Sequence, residues 1–193
     1  MELRKTLFLF FLISFFLSLP CPAPAYSQDE PAEGGWNTFS SRFCTVFYQH
    51  GVDLRIVDRR INLRFADFYE PGDVRKKEGL STEEILAEKL DAIFNRVEEI
   101  LDMFPSRVHV TINIYRERPE LDKAYEDIFN EKNTAGSFYI YKTNIIYTTQ
   151  KGISESILAH EMAHCIIDHY FVILPPRKIQ EMLAMYADVH LKD

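Results

Sequence analysis

The segment from Ile153 to Tyr170 sets His160, Glu161 and His164 among Ile157, Leu158, Met162, Ile166 and Ile167. A run with these helix formers reads as a helix that is apolar on nearly every side, and such a helix belongs in an interior. Two imidazoles and a carboxylate carried into that environment are costly unless a partner compensates them. Their spacing indicates the partner. Residues four apart on a helix lie about 40° apart in rotation and ~6 Å apart along the axis, so His160 and His164 can reach one metal ion from one face. Glu161 falls beside that ion rather than on it. From there it can take a proton from a metal-activated water and later deliver it to a leaving amine. Cys165 points about 100° away from His164 and is not expected as a ligand.

Pro175-Pro176 can continue neither helix that flanks them, so a second helix is expected from Arg177 to Leu191, folded back across the first. It carries Glu181, 17 residues after His164. Two histidines and one glutamate leave a fourth position for water, which is what a catalytic zinc requires. The five residues His160-Glu-Met-Ala-His164 are a short motif, and the apolar setting and the returning carboxylate give them weight.

The N terminus carries a different signal. Arg4 and Lys5 precede an apolar run from Leu7 to Leu19, and Ala23-Pro24-Ala25 offers a small-x-small cleavage site, so residues 1–25 are expected to be an export signal. The run is short of the roughly 20 apolar residues needed to span a bilayer, so no membrane span is expected once the signal is removed, and the product is expected in a periplasm or outside the cell. Cleavage would remove Glu2, Arg4 and Lys5, taking 22 basic and 29 acidic side chains to 20 and 28 and the formal charge from −7 to −8. An acidic body without a basic stripe argues against a nucleic-acid partner. Cys44 and Cys165 would remain, either as one disulfide or as two small buried residues.

Residues 26–41 are polar and rich in Gly, Pro and acid, and read as a flexible lead-in, with one domain over 42–193. Phe43 to Tyr48 reads as a strand, and Leu54, Val57 and Ile61 mark a short amphipathic helix. A loop from Phe65 to Gly79 carries the turn signal Pro71-Gly72. Ser81-Thr-Glu-Glu84 then matches a capping box, opening a long helix whose apolar face runs from Ile85 to Phe104. Arg107 to Tyr115 alternates as a strand, with Val108, Val110, Ile112 and Ile114 on one side and His109 on the other. Pro119 fits the first turn of a helix reaching about Asn130, with Leu121, Tyr125, Ile128 and Phe129 facing in. Ala135–Tyr141 and Asn144–Thr149 read as two adjacent strands. The whole is an α+β domain, a small mixed sheet packed on helices, without internal repeats.

His160-Glu-Met-Ala-His164 together with Glu181-Met-Leu-Ala-Met-Tyr186 resembles the HExxH and EGLAEY blocks of the peptidase MA-like gluzincins. The order of long helix, strand, helix, strand pair, HExxH helix and Glu helix is similar to a minimal zincin core over about residues 80 to 192. The resemblance implies zinc (Zn2+) on His160, His164 and Glu181, Glu161 as general base, and hydrolysis of peptide bonds. It also implies that the strand near Ser137 to Tyr141 is a sheet edge along which a peptide or protein substrate lies. The chain departs from the blocks at Met182, where Gly is usual, and at Met185, where an acid often orients a zinc histidine. Asp188 and Asp168 are the candidate replacements. For the oxyanion the candidates are Tyr186, which sits in the matched block, then Tyr170, Tyr141 and His169. His50 and His190 read as surface residues. The other function open to such a chain is a catalytically silent, zinc-stabilised binding or regulatory module on the same scaffold.

Overall fold

The computed structural model describes residues 35–63 and 79–193. The expected export signal over 1–25, the first half of the expected lead-in and the Pro71-Gly72 turn lie outside them. The second half of that lead-in is not a tether. Strand β1 (Trp36–Ser40) pairs antiparallel with β2 (Cys44–Gln49), in register from Trp36 opposite Gln49 to Ser40 opposite Thr45. Two aromatics among polar neighbours explain the difference: the Trp36 ring meets Tyr115 edge-on at 5.1 Å, and Phe39 lies 6.1 Å from Tyr48. The folded body therefore begins ahead of Arg42.

Helices α1 (Leu54–Arg60) and α2 (Thr82–Leu101) follow, then β3 (Val110–Tyr115), α3 (Arg118–Phe129), β4 (Phe138–Ile140), β5 (Ile145–Thr149), α4 (Glu155–Tyr170) and α5 (Arg177–Val189). These described elements make a mixed α/β fold. Its five strands run in the order β1-β2-β3-β5-β4, with β2, β3 and β5 parallel and each outer strand antiparallel to its neighbour.

Local sequence accounts for the element ends. The Glu84 amide donates to Ser81 Oγ at 3.2 Å and the Ser81 amide to Glu84 Oε2 at 2.7 Å, a reciprocal cap that starts α2. That helix stops when Asp102 turns left-handed at φ 51°, so Phe104 falls beyond its apolar face and is 61% exposed. In α3 only Leu121 is buried; Ile128 and Phe129 are 44% and 43% exposed, not turned in as expected. That helix lies over β3, β5 and the start of β4, where Tyr125 meets Phe138 edge-on at 4.9 Å, closing a small core of Leu121, Phe138, Ile145 and Tyr147.

The main core lies on the other side of the sheet. Val46, Ile112 and Ile146 from the strands meet Phe94, Ile93, Met162 and Ile166 from α2 and α4, all with no exposed surface. Phe94 stacks on Phe43 with ring centroids 4.5 Å apart. Phe94→Ala should cost about 3–5 kcal/mol, measured by urea denaturation.

The start of α4 is fixed by Glu155, whose carboxylate accepts the Asn62 amide at 2.9 Å and the Lys192 ammonium. Burial alone would raise this carboxyl, but the bonds from Lys192 and from backbone amides outweigh it and hold it below its ordinary value. A carboxyl lowered on folding contributes stability that is present above its unfolded value, about 4.3, and lost as pH falls through the folded one. Glu155→Gln should therefore flatten the loss of stability between about pH 6 and about pH 3 in denaturation curves taken across that range.

Candidate metal centre

Helix α4 is capped by Ser154, whose hydroxyl accepts the Ile157 amide at 3.3 Å, and is buried along most of its circumference. His160 and His164 occupy its one partly open strip, with side chains 24% and 14% exposed. That strip faces α5. Glu181, Ala184 and Asp188 recur there at steps of three and four, which makes them one stripe. Ala184 has no exposed surface, and a methyl at the centre of the stripe lets α5 lie close against α4. Pro175 and Pro176 set the return angle, and the Gln180 side chain donates back to the Pro175 carbonyl at 2.8 Å.

The three residues expected to hold a metal come together. One donor atom from each of His160, His164 and Glu181 lies within 4.8 Å of the other two. Glu181 Oε2 is 3.6 Å from His160 Nε2 and 3.5 Å from His164 Nε2. These separations are long for hydrogen bonds. They match the edge of a coordination tetrahedron, in which two bonds of about 2.1 Å place their donor atoms ~3.4 Å apart. His160 Nδ1 lies 3.2 Å from Asp188 Oδ2. A carboxylate at Nδ1 draws the ring proton there and leaves Nε2 with a free lone pair. His164 is held below its ordinary pKa, mainly by burial, with the Glu181 charge pulling the other way.

Sequence left Asp188 and Asp168 as equal candidates for orienting a histidine. Asp188 takes that place; Asp168 instead meets the Tyr139 hydroxyl. Reading along the sequence also passed over Arg177. Its Nε donates to Glu181 Oε1 at 3.4 Å, so one carboxylate oxygen faces the histidines and the other a guanidinium. The four-residue step between Arg177 and Glu181 on a helix was the available signal.

Glu161 projects from α4 toward the sheet and is 9% exposed. Burial, reinforced by the Glu181 charge, pushes its carboxyl up to about 7, while a bond from the Tyr139 amide pulls down. Tyr139 is the middle residue of β4, which pairs with β5 alone and so ends the sheet. The segment Ser137 to Tyr141, expected at an edge, thus contains the edge strand over Phe138–Ile140 and sits beside Glu161.

Tyr186 is placed less favourably. It is 51% exposed, and its ring lies 4.4 Å from that of His190, with no hydrogen bond to the donors among the described residues. Tyr141 and Tyr170 are also exposed, and His169 is engaged by the Cys165 carbonyl at 2.9 Å and by Asn144 at 3.2 Å. No disulfide joins the two cysteines. Cys44 and Cys165 are buried free thiols.

Comparisons with protein-family models, curated proteins and solved structures return no match. The chemistry must therefore be argued from the centre itself. It comprises three metal donors of the type zinc takes, a carboxylate set beside them and an open strand edge next to that carboxylate. Its assembly depends on the close approach of the two helices. Ala184→Met should cost about 1–3 kcal/mol by crowding that contact, read from chemical denaturation, and should widen the gap between Glu181 and the histidines in a determined structure.

Proposed function

We propose that this chain is a zinc-dependent peptidase with a minimal zincin-like fold, its metal held by His160, His164 and Glu181. The observation that carries the reading is the donor triangle, with separations of 3.5 and 3.6 Å to a shared carboxylate oxygen and Asp188 behind His160. Three protein donors in this set leave one position open, as catalytic zinc sites do. A zinc ion there would supply Lewis acidity, polarising a carbonyl and making a water acidic near neutral pH.

The chain's own groups do the rest. Glu161, largely buried beside the three donors, accepts a proton from the attacking water and returns it to the leaving nitrogen. Asp188 fixes the tautomer and orientation of His160. The outer edge of β4, which has no neighbouring strand, would give an extended peptide a place to lie next to Glu161. The apolar run Leu7 to Leu19 and the Ala23-Pro24-Ala25 site add export to this reading.

The test begins with metal. Protein purified without added metal should carry one equivalent of zinc, and His160→Ala should lose it. Glu161→Gln should keep the zinc and lower hydrolysis of an unfolded protein by about 10²–10⁴-fold, followed by fluorescence of a labelled substrate. Equal activity in parent and variant would exclude Glu161 as the base. A zinc-loaded parent without chelator-sensitive hydrolysis would favour a silent module on the same scaffold. Asp188→Ala should weaken zinc binding by about 10–100-fold in a competition titration, with the helical circular dichroism preserved.

A further inference from the structure

Beyond the metal centre, the largest unexplained feature is the turn between α4 and α5. Val172 is 103% exposed and Ile173 is 85% exposed, so among the described residues little covers either side chain. Tyr170, just before them, is 48% exposed. Yet the turn is anchored at its root. Phe171 packs against the main core, the Pro175 carbonyl accepts the Gln180 side chain at 2.8 Å, and the Pro176 carbonyl accepts the Ile179 amide at 2.8 Å. Two aliphatic side chains therefore stand on a braced, convex tip.

The helix that follows continues the feature. Ile179, Met182, Tyr186 and Val189 recur at steps of three, four and three and are 42%, 57%, 51% and 67% exposed. They lie opposite Ala184, Ala187 and Leu191, which are buried. Helix α5 is thus apolar on the side it buries and again on the side it shows. A helix with a second apolar face has a second environment to satisfy.

Charge indicates which environment. From His169 to Gln180 the chain has no acid and two bases, Arg177 and Lys178, although its formal charge is −7 overall. Both are exposed, and the Arg177 side chain is 90% exposed even while its Nε touches Glu181. We infer that the α4–α5 turn and the outer face of α5 dock on an anionic phospholipid surface, Val172 and Ile173 entering the acyl boundary while Arg177 and Lys178 meet the headgroups. An aliphatic tip beside an aromatic and two bases is the composition of an interfacial segment. A convex tip offers no concavity in which to hold a substrate side chain. In a symmetric dimer each basic pair would approach the same surface of the other copy, which opposes self-association. The acidic remainder is repelled by the same lipids and turns this end toward them. The inference does not depend on zinc or on peptidase activity.

Co-sedimentation with vesicles tests it. The parent should bind vesicles of mixed phosphatidylglycerol and phosphatidylcholine about tenfold or more tightly than vesicles of phosphatidylcholine alone, and salt should reduce the difference. A Val172→Asp, Ile173→Asp double variant should lose binding by about a hundredfold or more while keeping its circular dichroism and melting temperature, since both positions are fully exposed. An Arg177→Gln, Lys178→Gln variant should bind the two vesicle types nearly alike. The chain from Tyr26, which keeps every described element, is assayed beside the full chain so that Leu7 to Leu19 cannot supply the binding. No sedimentation of the Tyr26 form with anionic vesicles, or equal sedimentation of parent and double variant, would overturn the inference. A double variant that changes only self-association in sedimentation velocity would overturn it too, and would assign the surface to a second copy.

Discussion

The contact on which the rest of this structure depends is the close approach of α4 and α5. Ala184 is the middle of three residues that look across at α4, and it has no exposed surface. A larger side chain there would hold the helices apart, and Glu181 and Asp188, one turn to either side, would miss the two histidines. Helix α4 cannot give way in compensation. It packs against the sheet and α2 through Met162, Ile166 and Ile167, and its first turn is tied through Glu155 to Asn62, just after α1, and to Lys192. The centre is thus built by bringing an anchored turn and a short helix up against a buried one.

The sheet contributes at one edge only. Its parallel middle, β2-β3-β5, lies between two outer strands, β1 and β4, and of these β4 is the one beside Glu161. The Tyr139 amide is spent on Glu161 rather than on the ladder to β5, so the carboxylate and the free edge belong to one surface. That bond ties Glu161, which directly follows His160 in sequence, to the strand that ends the sheet.

Much of this was legible in the residues. HExxH spacing, the Pro-Pro return and Glu181 placed the donors; the capping box at Ser81 and the period of α2 placed the longest helix. What failed did so for identifiable reasons. Trp36 and Phe39 lay in a stretch whose composition was polar on average, and composition does not register two rings that find Tyr115 and Tyr48 from elsewhere in the chain. Ile128 and Phe129 followed the helical period faithfully, but periodicity says which residues share a face and not whether anything lies opposite. The choice between Asp168 and Asp188 turned on the separation and rotation of two helices, which no local pattern contains.

The donor cluster carries its own argument for a cation. Asp188 at His160 Nδ1 places the ring proton on that side, so Nε2 presents a lone pair toward Glu181 Oε2, an acceptor facing an acceptor at 3.6 Å. His164 points its own Nε2 at the same oxygen from 3.5 Å. Protonating both rings would relieve the conflict, but burial disfavours the charged form of His164, and Arg177 already answers the other oxygen of Glu181. The three side chains are partly buried, and converging them on one point from two separate helices sets acceptors close together. One divalent ion bonded to all three would remove the conflict at a single stroke. Asp188 and Arg177, together with the motif, hold the three side chains in a geometry that one divalent ion would satisfy.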